Sequence, residues 1–149
     1  MLTRGEMAVI PREALQALVR SRPNIAHAVL VKMLVEGSIF REWIFNVGRR
    51  NSRARVAHLL CEFAVRLQTE SLAVDYGYEL PMTQEQLADA VGLTPFHVNR
   101  TLKSLEAAGL IIRNKRNITL PHRERLRTVG DFNQRYLHPG PQRSGGAAA

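Results

Sequence analysis

The chain has 149 residues, 45% of them hydrophobic and 23% charged, which is enough for one or two small domains with a true core. Lysine and arginine number 21 against 13 acids, a net charge of +8, and this excess favours an anionic partner, nucleic acid before membrane surface. A lone cysteine, Cys61, rules out an intrachain disulfide framework, argues against a cysteine-ligated cluster and fits the reducing cytoplasm. There is no basic patch followed by an apolar run at the N-terminus to read as a secretory signal, and the longest apolar stretch, Ile25 to Leu34, is broken by His27 and Lys32 and is too short to span a bilayer.

In chain order, Met7 to Ile10 before Pro11 reads as a short apolar strand. Arg12 to Val19 can form a short helix with Ala14, Leu15 and Leu18 on one face. Pro23 then opens a long helix that runs to about Val47 and is stopped by Gly48. Ile25, Val29, Met33, Glu36, Phe40 and Trp43 recur there at three- and four-residue spacing, widened by Ile39, Ile44 and Val47. Little chain precedes this stripe to cover it, so the expected cover is the same helix of a second copy, with an ordinary core helix as the alternative. Gly37 and Ser38 weaken its centre.

Gly48 to Ser52 reads as a hinge, with Asn51 or Ser52 capping a helix from about Arg53 to Thr69 that buries Val56, Leu59, Leu60, Phe63 and Leu67. Cys61 falls on the buried face as a small core hydrophobe. Arg49, Arg50, Arg53 and Arg55 read first as solvated linker charge, with contact to DNA backbone near the hinge as the alternative. Asp75 to Leu80 reads as a turn feeding a short strand, and the Pro/Gly/Ala/Ser-rich tail from Pro139 to Ala149 is expected to be disordered.

Met82 to Leu120 is the informative stretch. Thr83 with Gln86 makes a capping box, Leu87 and Val91 point inward, and small Ala88 allows a second helix to cross closely. Gly92 sits where the backbone must turn tightly, Leu93 plugs that turn, Thr94 caps the next helix and Pro95 takes its first position. Val98, Leu102 and Leu105 form the second helix's buried stripe. Two short helices joined this tightly make a helix-turn-helix. Gly109 ends the second helix, and Leu110 to Arg113, Asn114 to Asn117 and Ile118 to Leu120 read as strand, polar turn and strand, a hairpin wing.

A recognition helix presents its first turns to base edges in the major groove. Off the buried stripe these are Pro95, Phe96, His97, Asn99 and Arg100. Arg100 can bond bidentately to guanine, Asn99 can bond adenine, His97 can donate to a base or a phosphate, and Pro95 and Phe96 can offer only apolar contact, such as to a thymine methyl. Phosphate contacts fall to Thr83, Gln84, Thr94, Lys103, Lys115 and Arg116, with plain solvation the alternative for the lysines and for Arg116. Asp89 with His97 does not make a catalytic pair, since neither has a nucleophile or an orienting third group, and His97 has no partner ligand for a metal.

The run Thr83 to Leu102, with Gly109-Leu-Ile111, resembles the DNA-binding domain of Crp/Fnr regulators. Ser52 to Leu60 looks like the helix after that family's hinge, and Asp131 to Leu137 resembles its C-terminal end. The resemblance implies that Arg100 is the base-reading arginine, with His97 and Asn99 beside it. Phe96 stands where several members carry glutamate, so their sequence preference does not transfer. Met7 to Pro11 looks like only the last strand of the family's sensory β-roll. Neither the elements that hold a cyclic nucleotide nor the N-terminal cysteine cluster of oxygen-sensing members is found. Either a naturally short member or a truncated gene product fits.

These readings give a mainly α fold, a long dimerisation helix followed by a winged helix-turn-helix with a small β-hairpin wing. The expected divisions are a sensory remnant at 1–23, the dimerisation helix at 24–48, the DNA-binding domain at 49–137 and a tail at 138–149. The expected function is a cytoplasmic, non-enzymatic transcription regulator that binds palindromic double-stranded DNA as a homodimer, without cofactor, metal or membrane; the resemblance implies RNA polymerase as a further partner. The alternative is a sensor-less partner that heterodimerises with full-length relatives.

Overall fold

The computed structural model describes residues 6–69 and 77–139. Its elements are α1 (Arg12–Ser21), α2 (Pro23–Arg49), α3 (Ser52–Thr69), β1 (Gly77–Glu79), α4 (Gln84–Val91), α5 (Pro95–Ala107), β2 (Ile112–Asn114), β3 (Asn117–Thr119), α6 (Arg123–Val129) and a 3-10 turn, Gln134–Leu137. The expected turn at Asp75 and the tail after Pro139 lie outside the described residues.

Helix α3 is the hub. Val56, Ala57, Leu60 and Cys61 are fully or almost fully buried, and the helix packs against α4, α5, α6 and β1. Leu87 and Val91 from α4, Val98, Leu102 and Leu105 from α5, Ile118 from β3 and Leu126 from α6 complete this core. The Cys61 thiol is pushed up to about 12 by burial, so it is a packed hydrophobe rather than a reactive group. The antiparallel sheet has the order β1-β3-β2, so the hairpin wing gains a third strand, with Tyr78 opposite Ile118 and Arg113 opposite the same residue on the other side. Tyr78 is buried and its hydroxyl donates to the Leu60 carbonyl at 2.8 Å, which roots the sheet on α3.

Several sequence expectations are corrected. Met7 to Ile10 form no strand: they are exposed and have no pairing partner among the described residues. Gly48 does not stop α2. The helix continues through Arg49 and ends because Arg50 turns extended, at φ −80° and ψ 146°. Arg50 and Arg55 are not solvated linker charges. Arg50 is buried, paired with Glu42 at 2.8 Å, and donates to the Asp131 carbonyl at 2.8 Å and to its carboxylate at 3.0 Å. Arg55 donates through Nε to the Arg50 carbonyl at 2.8 Å and through Nη1 to the Val91 carbonyl at 3.3 Å. These arginines bind the end of α2 to the C-terminal segment and to the turn after α4.

A buried polar chain lies beside this joint. His58 is fully buried, with Nδ1 3.2 Å from the Gly130 carbonyl and Nε2 3.0 Å from the Tyr136 hydroxyl. That hydroxyl donates to the Glu62 carboxylate at 2.7 Å, and Glu62 also accepts from Arg66 Nε at 2.8 Å. Phe132 and Trp43 meet the imidazole edge-to-face. Burial, then the Arg50 guanidinium, hold the His58 pKa below its ordinary value, against the Gly130 carbonyl, Glu42 and Glu62.

Candidate nucleic-acid interface

The recognition region is built locally. Thr83 caps α4 in a reciprocal box: Gln86 N donates to its hydroxyl at 3.2 Å, and Thr83 N donates to the Gln86 side chain at 2.8 Å. Gly92 closes α4 in the left-handed region, φ 63°. A Cβ there would sit 3.3 Å from Val47 Cγ1, so the turn also rests against the end of α2. Thr94 caps α5 by accepting from His97 N at 3.3 Å, and Pro95 opens the helix. The two helix starts are tied across the turn, because Asn99 Nδ2 donates to Gln84 Oε1 at 3.3 Å.

With Val98, Thr101, Leu102 and Leu105 buried, the outward side of α5 carries Pro95, Phe96, His97, Arg100 and Lys103, with Asn99 half-buried beside them. Arg100 is exposed and makes no hydrogen bond or ion pair among the described residues. His97 is already engaged, its Nδ1 2.8 Å from the Thr94 hydroxyl. Thr83, Gln84 and Thr94 are exposed at the two helix starts. In the wing, Lys115 and Arg116 form the two-residue turn between β2 and β3, both exposed. Lys115 sits there at φ 56°, and Arg116 Nη1 lies 4.0 Å from Glu79. Arg113 Nη2 lies 2.5 Å from Glu106 Oε2 and holds that carboxyl below its usual range, so an ion pair braces the wing on the recognition helix. Arg113 was not singled out by sequence, since its partner is set by how β2 lies against α5.

The six α2 positions named from sequence do not share one environment. Met33 and Phe40 are exposed. Ile25 and Val29 are half-buried in the first part of α2. Glu36 is half-buried and ion-paired with Lys32 at 2.6 Å. Trp43 packs against the core instead, lining with Leu59, Phe63, Met82 and Ala90 an apolar recess of about 410 Å³.

A model of the Crp-like helix-turn-helix domain matches residues 54–129, which are the hub helix, the helix-turn-helix, the wing and α6. The chain belongs to this family. It is 31% identical over 125 residues to a probable transcriptional activator of Rhizobium leguminosarum bv. viciae, covering 83% of this chain and 52% of that protein. It is 30% identical over 124 residues to the transcriptional activator protein FnrL of Cereibacter sphaeroides, covering 80% and 50%. The chain thus spans about half the length of these curated relatives. Among solved structures, FixK2 from Bradyrhizobium japonicum superposes with a TM-score of 0.68 at 26% identity, over 80% of this chain and 59% of that one. A CRP-family transcriptional regulator from Thermus thermophilus shares the fold at a TM-score of 0.52 and 21% identity, over 83% and 56%. Among the described residues no helix is long and apolar enough to cross a membrane.

Proposed function

We propose that this chain is a Crp/Fnr-type transcription regulator that reads a two-fold symmetric DNA site as a homodimer. The observation that carries the reading is Arg100, exposed on α5 and without a partner among the described residues, on a helix whose start is capped as that of α4 is. Arg100 donates to guanine O6 and N7, and Asn99 and His97 contact the neighbouring bases. Gln84 leaves Asn99 one donor hydrogen free, so the pair positions Asn99 as well as restraining it. Thr83, Gln84, Thr94, Lys103, Lys115 and Arg116 take phosphates and set the register.

The dimer seam is a face of α2 turned away from the core, except at its end, where Val47 also rests against Gly92. Leu30, Met33, Phe40, Ile44 and Val47 are between 38% and 73% exposed, and with Gly37 they alternate at steps of three and four residues. That is the a/d pattern of a two-stranded coiled coil, with glycine at its middle for close approach. Met33 and Phe40 keep their proposed role. Ile25, Val29, Glu36 and Trp43 flank the seam or face inward.

The curated relatives are transcription regulators rather than enzymes, and this chain's role follows them, with RNA polymerase the expected downstream partner. The same seam would pair with a full-length relative, which is the second reading. Selection of bound sequences from random duplex DNA tests the proposal. A palindromic motif is expected, and Arg100→Ala should lose about 1–3 kcal/mol on it and relax one base position. Recovery of salt-sensitive binding without a motif would favour the partner reading.

A further inference from the structure

Phe96 is the one large apolar side chain of α5 that is strongly exposed, at 72%. It is the second residue of the helix, in the first turn with Pro95 and His97 and one turn before Arg100. Its ring meets the His97 ring edge-to-face, 5.9 Å between centroids and 75° between planes. His97 is held in turn by the cap, with both its ring Nδ1 and its backbone N on the Thr94 hydroxyl. The phenyl is therefore an exposed apolar surface at the helix start, resting edge-to-face on a capped histidine and with no donor or acceptor of its own.

Among the groups that base edges present in the major groove, only the thymine 5-methyl is apolar. We propose that Phe96 is a specificity-determining residue that selects thymine through its 5-methyl group, beside the base pair taken by Arg100. The two side chains lie four residues apart on one helix face, roughly 6 Å between Cβ atoms. Successive bases on a strand are about 3.4 Å apart, so the thymine falls one or two base pairs from the guanine. This inference rests on the proposed DNA-reading function and adds to it a contact to the thymine methyl, which hydrogen bonding does not read.

The test uses the full chain and the duplex recovered by selection. Each thymine of the half-site is replaced in turn by deoxyuridine, which removes the methyl and nothing else. Loss of one buried methyl corresponds to about a fourfold weakening per half-site, and one thymine position should show it. At that position cytosine should bind poorly and 5-methylcytosine should recover part of the loss. Phe96→Ala should bind the thymine and deoxyuridine duplexes equally, while Phe96→Leu should keep part of the preference. Because the ring is exposed, both variants fold as the parent does, which circular dichroism checks.

The proposal is overturned if Phe96→Ala still discriminates thymine from deoxyuridine as the parent chain does, or if no thymine in a recovered motif responds to methyl removal. Unchanged DNA binding by Phe96→Ala with lost transcription would overturn it too, assigning the ring to a protein partner. Failure to recover any motif would defeat the DNA-reading proposal itself, and this one with it.

Discussion

Replacing Gly130 with alanine should be among the most destabilising single-methyl changes in this chain. Gly130 has ordinary right-handed dihedrals, φ −81° and ψ −3°, so alanine suffers no backbone strain there. The obstacle is space. A Cβ would lie 2.7 Å from the backbone nitrogen of His58 and 3.0 Å from Ala57 C and His58 Cα. Those atoms belong to the middle of the hub helix and cannot rotate away. Restoring an ordinary contact of about 3.5 Å requires a displacement of about 0.8 Å between α6 and α3. That movement lengthens the 3.2 Å contact between His58 Nδ1 and the Gly130 carbonyl, and pulls Asp131 from Arg50. Overpacking costs about 1–3 kcal/mol and a lost buried hydrogen bond about 1 kcal/mol. The restricted unfolded chain returns about 0.4–1 kcal/mol, leaving a net loss of about 1–3.5 kcal/mol with a midpoint just above 2 kcal/mol. Urea unfolding followed by circular dichroism measures it as a lower midpoint with unchanged slope. Gly109→Ala is the control. Gly109 sits at φ 65° with open space around it, so alanine there pays only the left-handed strain of roughly 1–2 kcal/mol. The reasoning is refuted if Gly130→Ala matches the parent in stability, or if Gly109→Ala loses more.

Two further outcomes are expected. Ile44→Asp places a charge on a residue that is 73% exposed in one chain, so the fold should survive while the proposed dimer dissociates in sedimentation equilibrium, with affinity for a two-fold site falling at least about tenfold; a persisting dimer would remove α2 from the interface. For pH, the folded His58 pKa lies below its ordinary value, so the unfolded chain binds the proton first as pH falls. The stability contributed by a neutral His58 is present above about pH 6.5 and is lost as pH drops through the folded value. Urea midpoints from pH 7.5 down to 5.5 should fall more steeply for the parent than for His58→Gln, and equal slopes would show that His58 is not the group responsible.

Much of the recognition element was legible because its signals are local. The capping box at Thr83 and Gln86, the left-handed Gly92 and the Thr94-Pro95 start each depend on residues within four positions, and the structure shows each of them. Asn51 likewise caps α3, accepting from Ala54 N at 2.9 Å. Helix α6 carried no comparable signal: its seven residues have one buried side chain, Leu126, among arginines, and no side-chain cap.

What tertiary structure decided was which face meets what. Helix α2 is apolar over much of its circumference, so spacing alone does not say which stripe turns to the core. Packing turns Ile39, Asn46 and Trp43 towards the domain and leaves Met33, Phe40 and Ile44 outside. The arginines after α2 read as linker charge because their partners are distant in sequence. Arg50 reaches Asp131, 81 positions away, and Arg55 reaches Val91, 36 positions away. The capped helices and the turn between them follow from residue type alone, since their hydrogen bonds span only a few residues. The joint between the long helix and the recognition domain was decided only in three dimensions, because ion pairs and buried polar contacts depend on where the folded chain brings distant groups together.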